Sequence, residues 1–133
     1  SLNLNKLEIY RNFSERAYVL KNNLNLLLEN LVRDGKKVFA YGASTKGNVT
    51  LQFCELDSSK IFGVAEVNET KFNKFTPGSK IPILPEDEIK GMNPDYFLVL
   101  PWHFKDDILE RESEYLRREN IKMIFPFPDI EII

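Results

Sequence analysis

The sequence contains little that would point to an oxidising compartment, a membrane or nucleic acid. Cys54 is the only cysteine among 133 residues, so the chain forms neither an internal disulfide nor a thiolate metal site. No apolar run approaches the roughly 18 residues that cross a bilayer. The 18 basic and 20 acidic residues are spread along the chain, with a formal net charge of -2 and no basic stripe. These absences predict a cytoplasmic protein without a nucleic-acid or membrane partner.

Most catalytic signatures are also missing. The chain has no HExxH motif, no Walker lysine pattern and no cluster of metal ligands. One histidine, His103, and one cysteine leave little for a nucleophile system built on Ser-His-Asp or Cys-His. Cys54 falls inside a predicted helix, so we interpret it as a packing residue. No catalytic residue is therefore assigned, and His103 is the one candidate.

Residues 1–35 are predicted to form a long amphipathic helix that ends at Gly35, because apolar residues recur at alternating spacings of four and three. The stripe favours packing on the same domain, but its heptad spacing also suits a partner helix, as in a homodimer. The abrupt helical start suggests a domain excised from a longer protein. Residues 36–133 are long enough for one domain. The stripe consists of Phe13, Ala17, Leu20, Leu24, Leu27 and Leu31.

After Gly35 the sequence alternates between strand and helix patterns, which is typical of parallel βαβ units. Right-handed crossovers would order five strands 3-2-1-4-5, giving an α/β, Rossmann-like three-layer domain with a mainly parallel five-stranded sheet. The predicted strands are Lys37–Tyr41, Ile61–Ala65, Ile81–Leu84, Tyr96–Leu100 and Lys122–Phe125. The predicted helices are Gly47–Leu56, Pro85–Lys90 and Lys105–Arg118.

The most informative segment is the turn after the first strand, which reads GASTKGN. A strand, a small-residue turn and a helix together present backbone N–H groups and a positive helix end to an anion. Gly42 and Gly47 permit a tight turn, and Lys46 offers a cation, although Ser44 replaces the middle glycine of a GxGxxG fingerprint. The pattern predicts a phosphorylated small molecule as ligand. Its contacts would be Gly42, Ala43, Ser44, Thr45, Lys46, Gly47 and Asn48.

A second segment, Pro101, Trp102, His103 and Phe104, follows the fourth strand and holds the only tryptophan and histidine. In the predicted order the first and fourth strands are neighbours, and open α/β sheets bind ligands in the crevice beyond such carboxyl ends. Trp102 would stack on a ring and His103 would bond a hydroxyl or phosphate. A core tryptophan and a capping histidine are the alternative, but the location favours the functional interpretation.

The loop after the second strand adds further candidates. Glu66 lies 19 positions after Gly47, close to where a Rossmann unit places the acid that binds a ribose hydroxyl. A solvated surface glutamate is the alternative. Asn68 and Lys71 follow in a loop that is long for a simple connector, and they are further candidate ligand contacts.

Four segments resemble a known family in the right order, over about Lys36 to Pro128. They read GASTKGN, VAEVNETKFNKFTPGSKIPI, PDYFLVLPWHF and MIFPFP. They are similar to the C-terminal domain of the S-adenosylmethionine-dependent sugar C-methyltransferases. Members of that family have an N-terminal zinc-binding segment, a central domain that holds S-adenosylmethionine, and this Rossmann-like domain contacting a nucleotide-linked sugar.

The resemblance implies methylation of a carbon beside the ketone of a nucleotide-linked keto-deoxysugar, through an enolate formed by a base. This chain would bind the nucleotide-diphosphate sugar, with S-adenosylmethionine and zinc in parts upstream, and would not methylate alone. Residues 42–48 would hold the pyrophosphate or nearby sugar oxygens. Departures from the family pattern, such as Glu66 for an aspartate, leave substrate choice open. The sugar or nucleotide pocket would be shaped by Thr76, Pro77, Gly78, Trp102 and His103.

Two other interpretations stay open. The glycine-bearing turn and Glu66 also suit a Rossmann-type regulatory domain that binds a dinucleotide or coenzyme A. The leucine stripe would also suit a protein-interaction module.

Overall fold

The structure, a computed structural model, describes residues 2–43 and 45–133, with side chains for residues 6–43 and 47–133. Its helices are α1 (Leu2–Arg33), α2 (Thr45–Phe53), α3 (Glu86–Lys90) and α4 (Lys105–Glu119). Its strands are β1 (Val38–Tyr41), β2 (Val64–Glu66), β3 (Ile83–Pro85), β4 (Tyr96–Val99), β5 (Lys122–Phe125) and β6 (Glu131–Ile132). Two single-turn 3-10 helices cover Glu69–Lys71 and Trp102–Phe104.

The strands form one sheet in the order β3-β2-β1-β4-β5-β6. All neighbours are parallel except β5 and β6. The predicted α/β fold and the order 3-2-1-4-5 are therefore confirmed. The sequence reasoning missed β6, which pairs Ile132 with Ile124 and has only two residues. So short a strand is below the length at which period-2 alternation can be recognised.

The core is divided by the sheet into two layers. Alternate residues of β1 point to opposite faces, as strand geometry requires, so Val38 and Ala40 join one cluster while Phe39 and Tyr41 join the other. The first cluster packs under α1 and α2, and we call this side face one. The second packs under α3 and α4, and we call it face two. The domain thus has the three-layer arrangement expected of its βαβ units.

The last part of α1 belongs to face one, whereas its beginning extends beyond the core. Leu24 and Leu28 are fully buried, while Phe13 on the same stripe is 64% exposed. The helix ends as predicted before Gly35, which has a φ of +79°. Within the described residues, no helix combines the length and apolar content that a bilayer-spanning segment needs.

Candidate functional site

The turn after β1 and the segment after β4 meet at the carboxyl edge of the sheet. Tyr41 is paired with Val99, and the amide of Leu100 donates to the Tyr41 carbonyl at 3.1 Å. Gly42 follows with a φ of +85°, and a Cβ there would lie 3.1 Å from Cδ of Pro101. Only glycine combines that backbone conformation with so close an approach. The structure therefore brings the two segments together, at the edge where open α/β sheets bind ligands.

Three residues at the end of β2 and in the loop after it also lie at this turn. The Ala43 amide donates to Oε2 of Glu66 at 2.8 Å, and the Asn68 amide donates to Oε1 of the same carboxylate at 3.2 Å. Nζ of Lys71 donates to the Ala43 carbonyl at 2.6 Å. The sequence-predicted candidates Glu66, Asn68 and Lys71 are thus assembled beside Ala43, through contacts to backbone and to one another.

The start of α2 is the part of the predicted anion turn that the structure describes least. Ser44 lies outside the described residues, and so do the side chains of Thr45 and Lys46, whose backbone begins α2. Gly47 is buried in the first turn of the helix. Asn48 has a buried side-chain oxygen, Oδ1, with no hydrogen-bond partner in the described structure. Buried polar atoms are almost always paired, so this oxygen is a candidate acceptor for a hydrogen bond from a ligand.

The segment after β4 forms a single 3-10 turn in which the three side chains have different environments. Trp102 is half-buried, with its ring centroid 5.6 Å from that of Phe127. His103 and Phe104 are exposed, and their rings lie 4.3 Å apart. Trp102 therefore packs against Phe127 and the core of face two, while the side chain of His103 is exposed to solvent.

The structure does not bring Thr76, Pro77 and Gly78 to this crevice. Nε2 of Gln52 donates to the Pro77 carbonyl at 2.7 Å, and a Cβ on Gly78 would lie 3.0 Å from the same nitrogen. Gln52 is in the last turn of α2, about 10 Å along the helix from its first residue. Thr76 is 1% exposed, and its Oγ1 accepts the Ile81 amide at 2.9 Å. In this structure the three residues thus shape a loop at the opposite edge of the sheet.

The path of the chain after residue 71 explains this placement. The Asn73 amide donates to the Ile83 carbonyl at 3.0 Å, and the Ile83 amide donates to the Lys74 carbonyl at 2.8 Å. Residues 73–75 therefore run antiparallel to β3 and carry the chain from the carboxyl edge to the amino edge. Gly78 has a φ of +75°, the positive value that the second central residue of a type II turn requires.

A buried polar cluster on face two was not anticipated from the sequence. Glu112 is 7% exposed, and its carboxylate accepts the Tyr41 hydroxyl and Nζ of Lys90, each at 3.2 Å. Lys90 also pairs with Glu86 at 3.1 Å, and Arg111 donates to the Tyr41 hydroxyl oxygen. The available signal was spacing, because Glu112 lies four residues after buried Ile108 on the apolar side of α4.

Burial and charge act in different directions within this cluster. Burial is the main reason that the pKa of Tyr41 is raised above 10.0, although the bond from Arg111 works against it. For Lys90, burial favours a lower pKa, but the hydrogen bonds to Glu86 and Glu112 outweigh it and the pKa is raised above 10.5. Tyr41 is therefore neutral and Lys90 charged near neutral pH.

Neither a metal site nor a reactive thiol is found in the described part of the chain. No group of three or more potential metal-binding side chains occurs among those residues. Cys54 is fully buried, and burial raises the pKa of its thiol to about 11. A protonated, inaccessible thiol is unreactive, so the interpretation of Cys54 as a packing residue is confirmed.

A mostly parallel α/β sheet in which β1 and β4 are neighbours, with the segments that follow them meeting at its carboxyl edge, defines a Rossmann-like domain. Residues 1–128 match the family described as the C-methyltransferase C-terminal domain, and the chain belongs to that family. It is 35% identical over 124 residues to the C-methyltransferase NovU of Streptomyces niveus. The matched residues make up 93% of this chain but only 29% of NovU. The family resemblance inferred from the motifs is therefore confirmed, and the chain corresponds to less than a third of that relative.

Proposed function

We propose that this chain binds the nucleotide-linked keto-deoxysugar in a longer, S-adenosylmethionine-dependent C-methyltransferase, and that it binds this substrate without methylating it alone. Its membership of the C-methyltransferase C-terminal family supports the reaction class. The crevice between the turn after β1 and the segment after β4 supports the binding role, because ligands of such sheets lie at this edge.

The observation that carries the proposal is the contact between Gly42 and Pro101. A Cβ added at Gly42 would lie 3.1 Å from Cδ of Pro101. Two segments that are 59 positions apart in the sequence are therefore in contact at the carboxyl edge of the sheet. Oδ1 of Asn48, in the helix that follows the turn, has no partner among the described residues, and a sugar hydroxyl or the imide N–H of a pyrimidine base would supply a donor. The half-buried ring of Trp102 offers a surface on which a base would stack.

We place S-adenosylmethionine and zinc in other parts of the longer protein. The turn after β1 lacks the glycine-rich pattern of a cofactor loop, since Ser44 stands at its middle position. The amides of Gly42 and Ala43 in this turn already donate to the Ala65 carbonyl and to Glu66. In the assembled enzyme, S-adenosylmethionine would supply the methyl group, and this chain would bind and orient the sugar. His103, exposed at the crevice, is the candidate for proton transfer from this chain.

Calorimetric titration of the chain with thymidine diphosphate glucose and, separately, with S-adenosylmethionine tests the proposal. We expect binding of the nucleotide sugar and none of the methyl donor. Binding of S-adenosylmethionine alone would contradict the assignment. Tight binding of NAD or coenzyme A, with no nucleotide-sugar binding, would instead establish the regulatory alternative.

The site itself is tested with Asn48→Ala and a matched control on the same helix. Removing the Asn48 side chain, whose Oδ1 would accept a hydrogen bond from the ligand, should weaken binding of thymidine diphosphate glucose by about 1 to 3 kcal/mol, the cost of losing a hydrogen bond to a buried group. Val49→Ala, at the next position and 63% exposed, should leave the affinity unchanged. Equal affinities of the two variants would remove Asn48 from the site.

A further inference from the structure

We infer that Glu66 and Lys71 are positioning residues that hold the turn after β1 in its ligand-binding shape, and that they act through Ala43 rather than by touching the ligand. We call the two side chains and their bonds to Ala43 the Ala43 clasp. The inference deepens the proposed function and rests on it for the nature of the ligand.

The clasp holds two consecutive peptide units from one neighbouring loop. Glu66 accepts the Ala43 N–H at 2.8 Å, and Lys71 donates to the Ala43 carbonyl at 2.6 Å. Both bonds involve an ionised side chain, and such bonds are about twice as strong as neutral ones. Ala43 itself is 7% exposed, so its polar groups need partners within the protein.

The regular hydrogen bonds of the fold stop just before the clasp. The last ladder bond on this side of β1 runs from the Gly42 amide to the Ala65 carbonyl at 3.0 Å. At Ala43 the neighbouring strand offers no further backbone partner within the described residues, and the side chains of Glu66 and Lys71 take that place. The shape of the turn therefore depends on these two side chains as well as on the sheet.

The loop that carries the clasp is itself fixed locally. The second carboxylate oxygen of Glu66 accepts the Asn68 amide at 3.2 Å, which restrains the rotamer. Oδ1 of Asn68 accepts the Thr70 amide at 3.1 Å and its hydroxyl at 2.8 Å, capping the 3-10 turn that presents Lys71. Because both anchors are restrained, they can impose a conformation on Ala43 rather than follow it.

Because the Ala43 amide already donates to Glu66, only some parts of a ligand can lie beside Ala43. A phosphate placed there would meet the charge of Glu66 and would have to displace it from the N–H. An uncharged hydroxyl-bearing part of the ligand faces no such repulsion. The clasp thus directs the phosphates away from Ala43 and favours the sugar or ribose at this position.

The test combines amide hydrogen exchange at Ala43, followed by NMR, with calorimetric affinity for thymidine diphosphate glucose. In Glu66→Ala we expect exchange at Ala43 to accelerate about tenfold or more, with a similar loss of affinity. Lys71→Met should weaken binding in the same direction. Glu66→Gln keeps an acceptor and should restore most of both properties. The controls Glu69→Ala and Lys74→Met, at exposed positions of the same loop, should change neither.

The outcomes separate the inference from the proposed function. If Glu66→Ala binds more weakly while exchange at Ala43 is unchanged, Glu66 contacts the ligand directly and the clasp is overturned. Unchanged exchange and unchanged affinity would overturn it too. If exchange accelerates as expected but even the unmodified chain binds no nucleotide sugar, the clasp is supported and the proposed function fails. Slow exchange of amides in β1 and β4 shows that each variant is folded.

Discussion

The two faces of the sheet are stabilised in different ways. Face one is built around an apolar cluster under α1 and α2, in which Leu24, Leu28 and Leu51 are fully buried. Face two has the smaller apolar cluster, and it also encloses Glu112 with the hydroxyl of Tyr41 and the ammonium of Lys90. Apolar burial stabilises in proportion to area, whereas a buried charge stabilises only while its partners are in place. Face one should therefore respond to lost volume, and face two to lost partners and to pH.

The largest expected effect is on face one. Leu24→Ala should lower the free energy of unfolding by about 3 kcal/mol, within the usual range for a buried leucine, because it removes apolar contacts and leaves a cavity. Urea denaturation measures the change. Leu26→Ala is the matched control on the same helix, since Leu26 is 56% exposed, and it should cost less than about 0.5 kcal/mol. Similar losses at both positions would show that α1 is packed differently.

On face two, Glu112→Ala should lower the free energy of unfolding by about 2 kcal/mol. Breaking a fully buried pair typically costs about 3 to 5 kcal/mol, but Lys90 is 29% exposed and retains Glu86, so the loss is smaller. The same urea experiment applies, with Glu114→Ala, exposed on the same helix, as control. If Glu112→Ala lowers the free energy of unfolding no more than Glu114→Ala does, Glu112 is not buried, and the two faces do not differ in this respect.

Tyr41→Phe should cost about 1 kcal/mol at neutral pH, because it removes the buried hydrogen bond to Glu112, while the lost bond from the largely exposed Arg111 contributes little. Its effect on pH dependence is more specific. The pKa of Tyr41 is raised on folding, so the folded state keeps its proton longer than the unfolded state, and stability is lost as pH rises above 10. The variant should lose less stability than the unmodified protein between pH 9 and about 11 in thermal unfolding.

Cys54, Lys90 and Tyr115, whose pKa values are also raised, contribute to the same alkaline loss and remain in the variant. The slope should therefore be reduced and not abolished. An unchanged slope would mean that the Tyr41 hydroxyl is not buried in face two.

The smallest effect concerns the ends of the two helices on face one. Both end in a residue with positive φ, Gly35 after α1 and Glu55 after α2, at +79° and +55°. Glu55→Gly should stabilise the protein by about 0.5 to 1 kcal/mol, because glycine adopts this conformation without strain. Gly35→Ala should destabilise it by a similar amount, since no atom lies within 4 Å of the added Cβ and only backbone strain acts. Opposite shifts in melting temperature are expected, and shifts of equal sign would contradict the assigned conformations.

Local features of this molecule were predicted from the sequence more accurately than long-range ones. The strand β5 was predicted at its observed bounds, and α4 within one residue, because apolar periodicity and capping act over a few neighbouring positions. By contrast, the candidate ligand contacts between Glu66 and Gly78 were all predicted to lie at one site. The first residues of this loop do lie at the crevice, but its later pairing with β3 carries Thr76 to the opposite edge.

The sequence alone determined the α/β fold, the strand order, the meeting of the Gly42 turn with Pro101, and the family. The fold, the strand order and this meeting follow from the alternation of strand and helix patterns and from the fixed handedness of crossovers, whereas the family was inferred from the resemblance of four motifs. Only the tertiary structure decided that Glu66 and Lys71 hydrogen-bond to the backbone of Ala43, and that Glu112 is buried against Tyr41. These contacts join residues 23, 28 and 71 positions apart. Such partners are chosen by how loops and helices pack in three dimensions, which no local pattern of residues specifies.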